Sequence, residues 1–177
     1  MRELRRGRME DLEAIAALEA LCFPPSEAAV RETFAGRLAA YPGHFWLLLE
    51  DGELLSFVDG FSTDEPDLRD EMYADPGLHR EDGGWEMIFG VNTHPAHRGR
   101  GLASLVLGRV IEEARSAGRL GLVLTCKEGL VPFYARLGFR DEGITDKSLH
   151  GGTRWHQMRL RLREDGWIRA DGEEAPG

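Results

Sequence analysis

The sequence predicts an α/β chain of the α+β kind, built on a mixed sheet with helices on both faces. Three observations carry that reading. Two runs with helical spacing open the chain, a hairpin signal follows, and a strand–turn–helix–strand unit spans residues 86–126. That last unit requires a right-handed parallel crossover, whereas a hairpin is antiparallel, so the sheet is mixed.

The elements follow in order. "MEDLEAIAALEALCF" places Leu12, Ile15, Glu19 and Cys22 at helical spacing, and Leu18, Leu21 and Phe23 widen the apolar side. "PPSE" breaks this helix, and Ser26 is the expected N-cap of a second one. There Val30, Phe34, Leu38 and Tyr41 recur on one face until "YPG" stops it. "HFWLLLEDGELLSFVDGFS" holds two apolar runs around Asp51-Gly52, a pair suited to a tight hairpin turn. Between Asp64 and Asp82 stand eight acids and two bases, and Pro66 and Pro76 rule against a long regular helix. A short helix fits around Leu68 to Tyr73.

"WEMIFGVNT" reads as a central strand and "GLASLVLGRVIEEARSAG" as a helix. Leu102, Leu105, Val106, Val110 and Ile111 form its buried stripe, with Gly118 just past its end. "RLGLVLTC" is a buried strand, and "LVPFYARLG" is a short helix closing at Gly138. "FRDEGI" and "RWHQMRLRL" are the final strands. A single domain is expected over residues 1–165, followed by a flexible tail over 166–177.

Composition narrows the function. The chain has 177 residues, 42% of them hydrophobic, enough for a folded core. Its net charge of -9 argues against a general nucleic-acid binder. Cys22 and Cys126 make no disulfide framework and fit a reducing cytoplasm. No apolar window has the length of a membrane span, and no cysteine–histidine spacing suggests a metal. The expected partner is therefore a small molecule, with no nucleic acid, membrane or metal involved. A monomer and a homodimer are both compatible.

One basic stretch stands out in this acidic chain, "HRGRGLASLVL", from His97 to Leu107. The first turn of a helix offers backbone N–H groups and partial positive charge. Glycines let an anion approach those groups, and arginines add donors suited to phosphate oxygens. The turn can bind a phosphate or pyrophosphate, or serve only as a tight strand-to-helix turn. It lacks the G-x-x-x-x-G-K-[ST] spacing of a P-loop. It also departs from the dinucleotide fingerprint, since Gly99 and Gly101 are followed by Ser104.

Arg98, Gly101 and Ala103 match R/Q-x-x-G-x-G/A, and "VPFYARLGF" (Val131 to Phe139) matches F-Y-x-x-x-G-F. With these motifs at this separation, nearly the whole chain resembles the GNAT superfamily of acetyltransferases. Within it the chain is most similar to the arylalkylamine (serotonin) N-acetyltransferase group. "CKEGLVPFYARLGF", the long turn from Val91 to Gly99, and "RELRRGRMEDLEAIAALEALCF" carry the closer likeness, and the last of these resembles an opening strand and helix.

The resemblance implies a splayed sheet whose fourth and fifth strands, "WEMIFGV" and "LGLVLTC", part to admit acetyl-coenzyme A (acetyl-CoA). The pantetheine would pair with the backbone of Phe89, Gly90 and Val91. Amides of Arg98, Gly99, Arg100, Gly101, Leu102, Ala103 and Ser104 would cradle the pyrophosphate. It also implies that Tyr134 is the general acid, that a backbone N–H near Val91 steadies the thioester oxygen, and that Pro24-Pro25 marks a substrate loop. The implied reaction is direct transfer of an acetyl group to a small primary amine, possible acceptors including an arylalkylamine. The alternatives are a polyamine, an antibiotic amine or a protein N-terminus, and a catalytically weak acyl-coenzyme A-binding module.

The attacking amine must be neutral, so a proton acceptor is needed. The relatives carry histidines at the positions of Trp85 and Met87, and neither residue here takes a proton. Glu86 between them is the candidate base, although strand alternation points it to the other face. Water-relayed deprotonation and capture of the neutral amine are alternatives. His44, His94, His97 and His156 are assigned no catalytic role. Cys126 reads as a small buried residue, with a ping-pong nucleophile as the lesser alternative. Phe23, Trp46, Phe57, Phe61 and Trp85 are available for an aromatic pocket, and the acidic segment is available to attract a cation.

Overall fold

The computed structural model describes residues 1–163, so the tail expected over 166–177 lies outside the described residues. Its strands are β1 (Arg2–Arg6), β2 (Phe45–Glu50), β3 (Glu53–Thr63), β4 (Trp85–Thr93), β5 (Gly121–Cys126), β6 (Arg140–Ile144) and β7 (His156–Arg161). Its helices are α1 (Leu12–Cys22), α2 (Arg31–Ala40), α3 (Asp70–Ala74), α4 (Leu102–Ser116) and α5 (Val131–Arg136). The strands join one seven-stranded sheet in the order β1-β2-β3-β4-β5-β7-β6. β4 and β5 pair in parallel, and β1/β2, β2/β3, β5/β7 and β6/β7 pair antiparallel. The mixed sheet expected from the sequence is therefore present, together with the opening strand that the resemblance implied.

The described residues divide into two compact units, residues 1–60 with 90–110, and residues 61–89 with those from 111 onward. In the first, Asp51 and Gly52 both take positive φ (51° and 83°), the left-handed pair that a two-residue hairpin turn demands. Phe34 of α2 packs edge-on against Phe45 of β2 and Phe57 of β3, and all three are fully buried. Ile15 and Leu18 bring the apolar face of α1 into this core.

The start of α2 corrects one expectation. Ser26 does not cap it. Glu27 and Ala28 donate their backbone N–H groups to Pro24 O, closing a separate turn. α2 begins only at Arg31, where extended Val30 holds the cap position with no side-chain cap bond. The two prolines hold the chain in a turn before the apolar helical pattern can begin.

In the second unit the antiparallel β5–β7 ladder runs from Gly121↔Arg161 to Cys126↔His156. Gln157 and Arg159 of β7 are both buried despite their polarity. Arg159 is held by Glu142 (2.9 Å), Asp67 (2.7 Å) and Pro66 O (2.6 Å), with its guanidinium 4.7 Å from the Trp85 ring centre. Gln157 bonds Asp67 and Glu142 and accepts the N–H of Leu68. A buried cation persists where its donors are satisfied in this way.

The same bonds tie down the acidic segment. Asp70 accepts from Leu149 N and Ser148, Asp64 faces Arg80, and Lys147 pairs with Asp67. Much of its charge is spent on internal pairing. The short helix there spans Asp70–Ala74, somewhat later than expected.

Gly121 shows how tightly β5 is packed. A Cβ added there would lie 2.0 Å from Leu160 O and 2.9 Å from the Trp85 ring. Gly121→Ala is therefore expected to destabilise the fold by about 2–3 kcal/mol, a drop of about 5–10 °C in melting temperature. A thermal melt followed by circular dichroism checks this.

Candidate functional site

Each unit carries part of the predicted machinery. In the first, the basic turn has the predicted shape. Gly99 and Gly101 both have positive φ (82° and 73°), and a Cβ built on either meets nothing within 4 Å. The first helical bond of α4 runs from Leu105 N to Gly101 O, so the amides of Leu102, Ala103 and Ser104 precede any intrahelical acceptor. The residues thus fit a pyrophosphate, with an exposed backbone face that side chains do not cover. Arg100 binds Glu50 (3.2 Å) and His97 (2.9 Å) across the exposed surface. Arg98 lies beside the Cys22 thiol, which burial pushes upward despite that neighbour.

β4 presents the other predicted coenzyme residues. Its parallel ladder with β5 covers Trp85 to Ile88 opposite Gly121 to Leu124. β4 continues to Thr93, and Phe89, Gly90 and Val91 are half-exposed. The backbone expected to receive the pantetheine therefore lies beyond the last β4–β5 pair.

Beside Gly90 lies a group of buried polar side chains that the sequence reading did not assign to the site. Glu19 of α1, Asp59 of β3 and Asn92 of β4 are 6%, 1% and 0% exposed. Arg37 of α2 donates to Asp59 Oδ2 at 2.8 Å, and Glu19 Oε2 accepts the N–H of Ala29 at 2.9 Å. Burial, then the Asp59 charge, pushes the Glu19 carboxyl up to about 7, against the pull of the Ala29 amide and Arg37. The Asn92 amide is near enough to favour the Glu19 anion without completing a hydrogen bond of normal geometry. One signal was visible in the sequence: Glu19 occupies a position on the apolar stripe of α1, where an acid is out of place.

In the second unit, Tyr134 of α5 is buried at 5% exposure, with Phe133 and Phe139 at 5.0 and 6.0 Å between ring centres. Its hydroxyl makes no hydrogen bond among the described residues. Burial, followed by the proximity of Cys126, raises its pKa, so the proton stays on the oxygen at neutral pH. That is the state a proton donor requires. Cys126 is buried and pushed up to about 12, which leaves almost no thiolate for a ping-pong nucleophile.

Glu86 is buried, with Arg119 Nε 3.6 Å from its carboxylate. Arg119 also donates to Gly83 O and Glu81 O, tying β4 to the turn before it. This arrangement neutralises the charge of Glu86 within the fold.

An aromatic series runs through the same unit. Phe61 lies 5.0 Å from Phe89, Phe89 5.0 Å from Tyr73, and Tyr73 4.7 Å from His150. His150 in turn stacks on Trp155 at 4.3 Å, and the Trp155 indole donates to His150 O. Tyr73, Phe89 and His150 are half-exposed. Of the aromatics expected in a pocket, Trp46, Phe57 and Trp85 are core residues, while Phe61 anchors this series.

Known proteins resemble this chain in sequence and in fold. Serotonin N-acetyltransferase of Mesocricetus auratus is 32% identical over 121 residues, 68% of this chain and 56% of that protein. The Homo sapiens enzyme of that name is 28% identical over 175 residues, covering 83% of each chain. Among solved structures, the loading GNATL domain of CurA from Lyngbya majuscula superposes with a TM-score of 0.79 at 18% identity, covering 93% of this chain and all of that one. The Salmonella typhimurium yncA structure, solved with acetyl-CoA, gives 0.70 at 19% identity, covering 96% and 99%. The sequence profile of the acetyltransferase (GNAT) family matches residues 12–139, and the chain belongs to that family.

Proposed function

We propose that this acetyl-CoA-dependent N-acetyltransferase acts on a small primary amine bearing an aromatic group. The observation that carries the choice of acceptor is the partly exposed aromatic series Phe89–Tyr73–His150. Stacking on such rings favours an aromatic body over a flexible polyamine chain. The similarity to serotonin N-acetyltransferases supports the same class.

The chain's own groups divide the work. The open backbone face at Gly99 and Gly101, with the first amides of α4, holds the pyrophosphate. The backbone of Phe89, Gly90 and Val91 aligns the pantetheine. When bound, acetyl-CoA supplies an activated thioester. Tyr134, kept protonated by burial, donates its proton to the departing thiolate. The expected setting is the cytoplasm, and no helix among the described residues is long and apolar enough to cross a membrane.

The test follows free thiol release with acetyl-CoA and a panel of amines. Tryptamine or phenethylamine is expected to exceed spermidine by about tenfold or more in kcat/KM. A preference for spermidine, an aminoglycoside or a peptide N-terminus would replace the proposed acceptor, and tight coenzyme binding with no turnover would favour a binding module. Tyr134→Phe is expected to lower kcat by about 100-fold, the usual scale for a lost acid–base group, with coenzyme affinity within about twofold of wild type. Gly101→Val forces a branched side chain into positive φ at the anion face. It is expected to weaken coenzyme binding at least about tenfold by calorimetry.

A further inference from the structure

Buried polar atoms are nearly always hydrogen-bonded, so a group of unpaired ones in one place asks for an occupant. Beside β4 there is such a group. Glu19 Oε1, Asp59 Oδ1 and both amide atoms of Asn92 are buried with no hydrogen-bond partner. Three of them meet at one point. A Cβ built on Gly90 would lie 3.1 Å from Asp59 Oδ1, 3.2 Å from Asn92 Nδ2 and 3.5 Å from Glu19 Oε1. A side chain at this position would press on these atoms, so glycine lets them approach the β4 backbone, and Gly90 is itself half-exposed.

With both acids ionised, the charges do not balance. Two carboxylates face one guanidinium, since Arg37 is committed to Asp59. The remaining excess is negative, and two of the unpaired atoms beside Gly90 are carboxylate oxygens. A primary ammonium, with three N–H donors and one positive charge, matches that chemistry.

We propose that Glu19, Asp59 and Asn92 form the acceptor-amine site, and that Glu19 takes the ammonium proton across one bridging water. The proposal rests on the N-acetyltransferase reading above and supplies the proton acceptor it lacks. One ammonium N–H bond breaks and its proton passes to the Glu19 carboxylate. The nitrogen keeps the electron pair and forms the C–N bond at the thioester carbonyl. The C–S bond breaks, sulfur keeps the C–S bonding pair and leaves as a thiolate, and the proton it gains is balanced by loss of a second one from the nitrogen. Glu19 then returns its proton to solvent.

The surroundings of Glu19 suit that role. Asp59 from β3, Arg37 from α2 and Asn92 from β4 face it, with neutral Cys22 on its own helix. Desolvation and the Asp59 charge hold its carboxyl near 7, where one group can both accept and release a proton at neutral pH. Asp59, locked by Arg37, is a positioning residue that tunes Glu19.

Glu19→Gln preserves shape and an acceptor for the Ala29 amide. It is expected to reduce kcat about 100-fold or more and to abolish the acidic limb of the kcat/KM profile near pH 7. Coenzyme affinity should stay within about twofold. Asp59→Asn should move that limb to lower pH, because a negative neighbour is removed.

A second readout needs no substrate. The folded Glu19 value of about 7 lies above its ordinary 4.5. The contribution of this group to stability is therefore full below pH 4.5 and lost as pH rises through 7. Without ligands, wild type and Glu19→Gln should melt together near pH 4.5, with the variant about 5–10 °C higher at pH 8. Unchanged kcat and an unchanged acidic limb in Glu19→Gln, with wild type active, would overturn the proposal. So would equal melting temperatures at pH 8. Absence of turnover by wild type on every amine would instead overturn the acetyltransferase reading itself.

Discussion

Four residue pairs join β4 to β5 in parallel, and the placing of the chemistry depends on where that ladder stops. Up to Ile88 the backbone of β4 pairs with β5, and the side chains there are buried. From Phe89 to Val91 the strand continues with half-exposed residues, so its peptide groups can serve a ligand. β5 continues too, with Thr125 and Cys126 paired to β7. A longer ladder would leave β4 as an ordinary core strand.

The interior holds an unusual amount of charge, and its two settings have different consequences. Around Arg159, Glu142 and Asp67 bind the guanidinium, Gln157 donates to one of the same oxygens on each, and Lys147 takes the other oxygen of Asp67. Such a network rigidifies the acidic segment against β7. Around Gly90 the satisfaction is incomplete. Arg37 answers one oxygen of Asp59, Ala29 answers one of Glu19, and Asn92 completes no bond. Partial satisfaction costs stability, and it is tolerated where a ligand completes the set.

Several features were legible in the residues because they rest on local rules. Asp51-Gly52 dictated its hairpin through φ, and the period of "GLASLVLGRVIEEARSAG" its helix. The glycine turn was readable as an anion site because glycine geometry and helix termini act within a few residues. The Ser26 cap was misjudged because Pro24-Pro25 hold a turn of their own. The burial of Gln157 and Arg159 was missed because their partners, Asp67 and Glu142, are distant in sequence or on another strand.

By itself the sequence determined the order of elements from α1 onward, the glycine-rich turn before α4 and the tyrosine in α5, all consequences of short-range sterics and periodicity. Only the tertiary structure decided the setting of each acid. Glu86, the acid nearest the expected position on β4, has Arg119 beside it, while Glu19, 71 residues before Gly90, closes on that residue with Asp59 and Asn92. Burial and charge pairing depend on groups far apart in the chain, and a pKa follows from those neighbours rather than from the residue's place in the sequence.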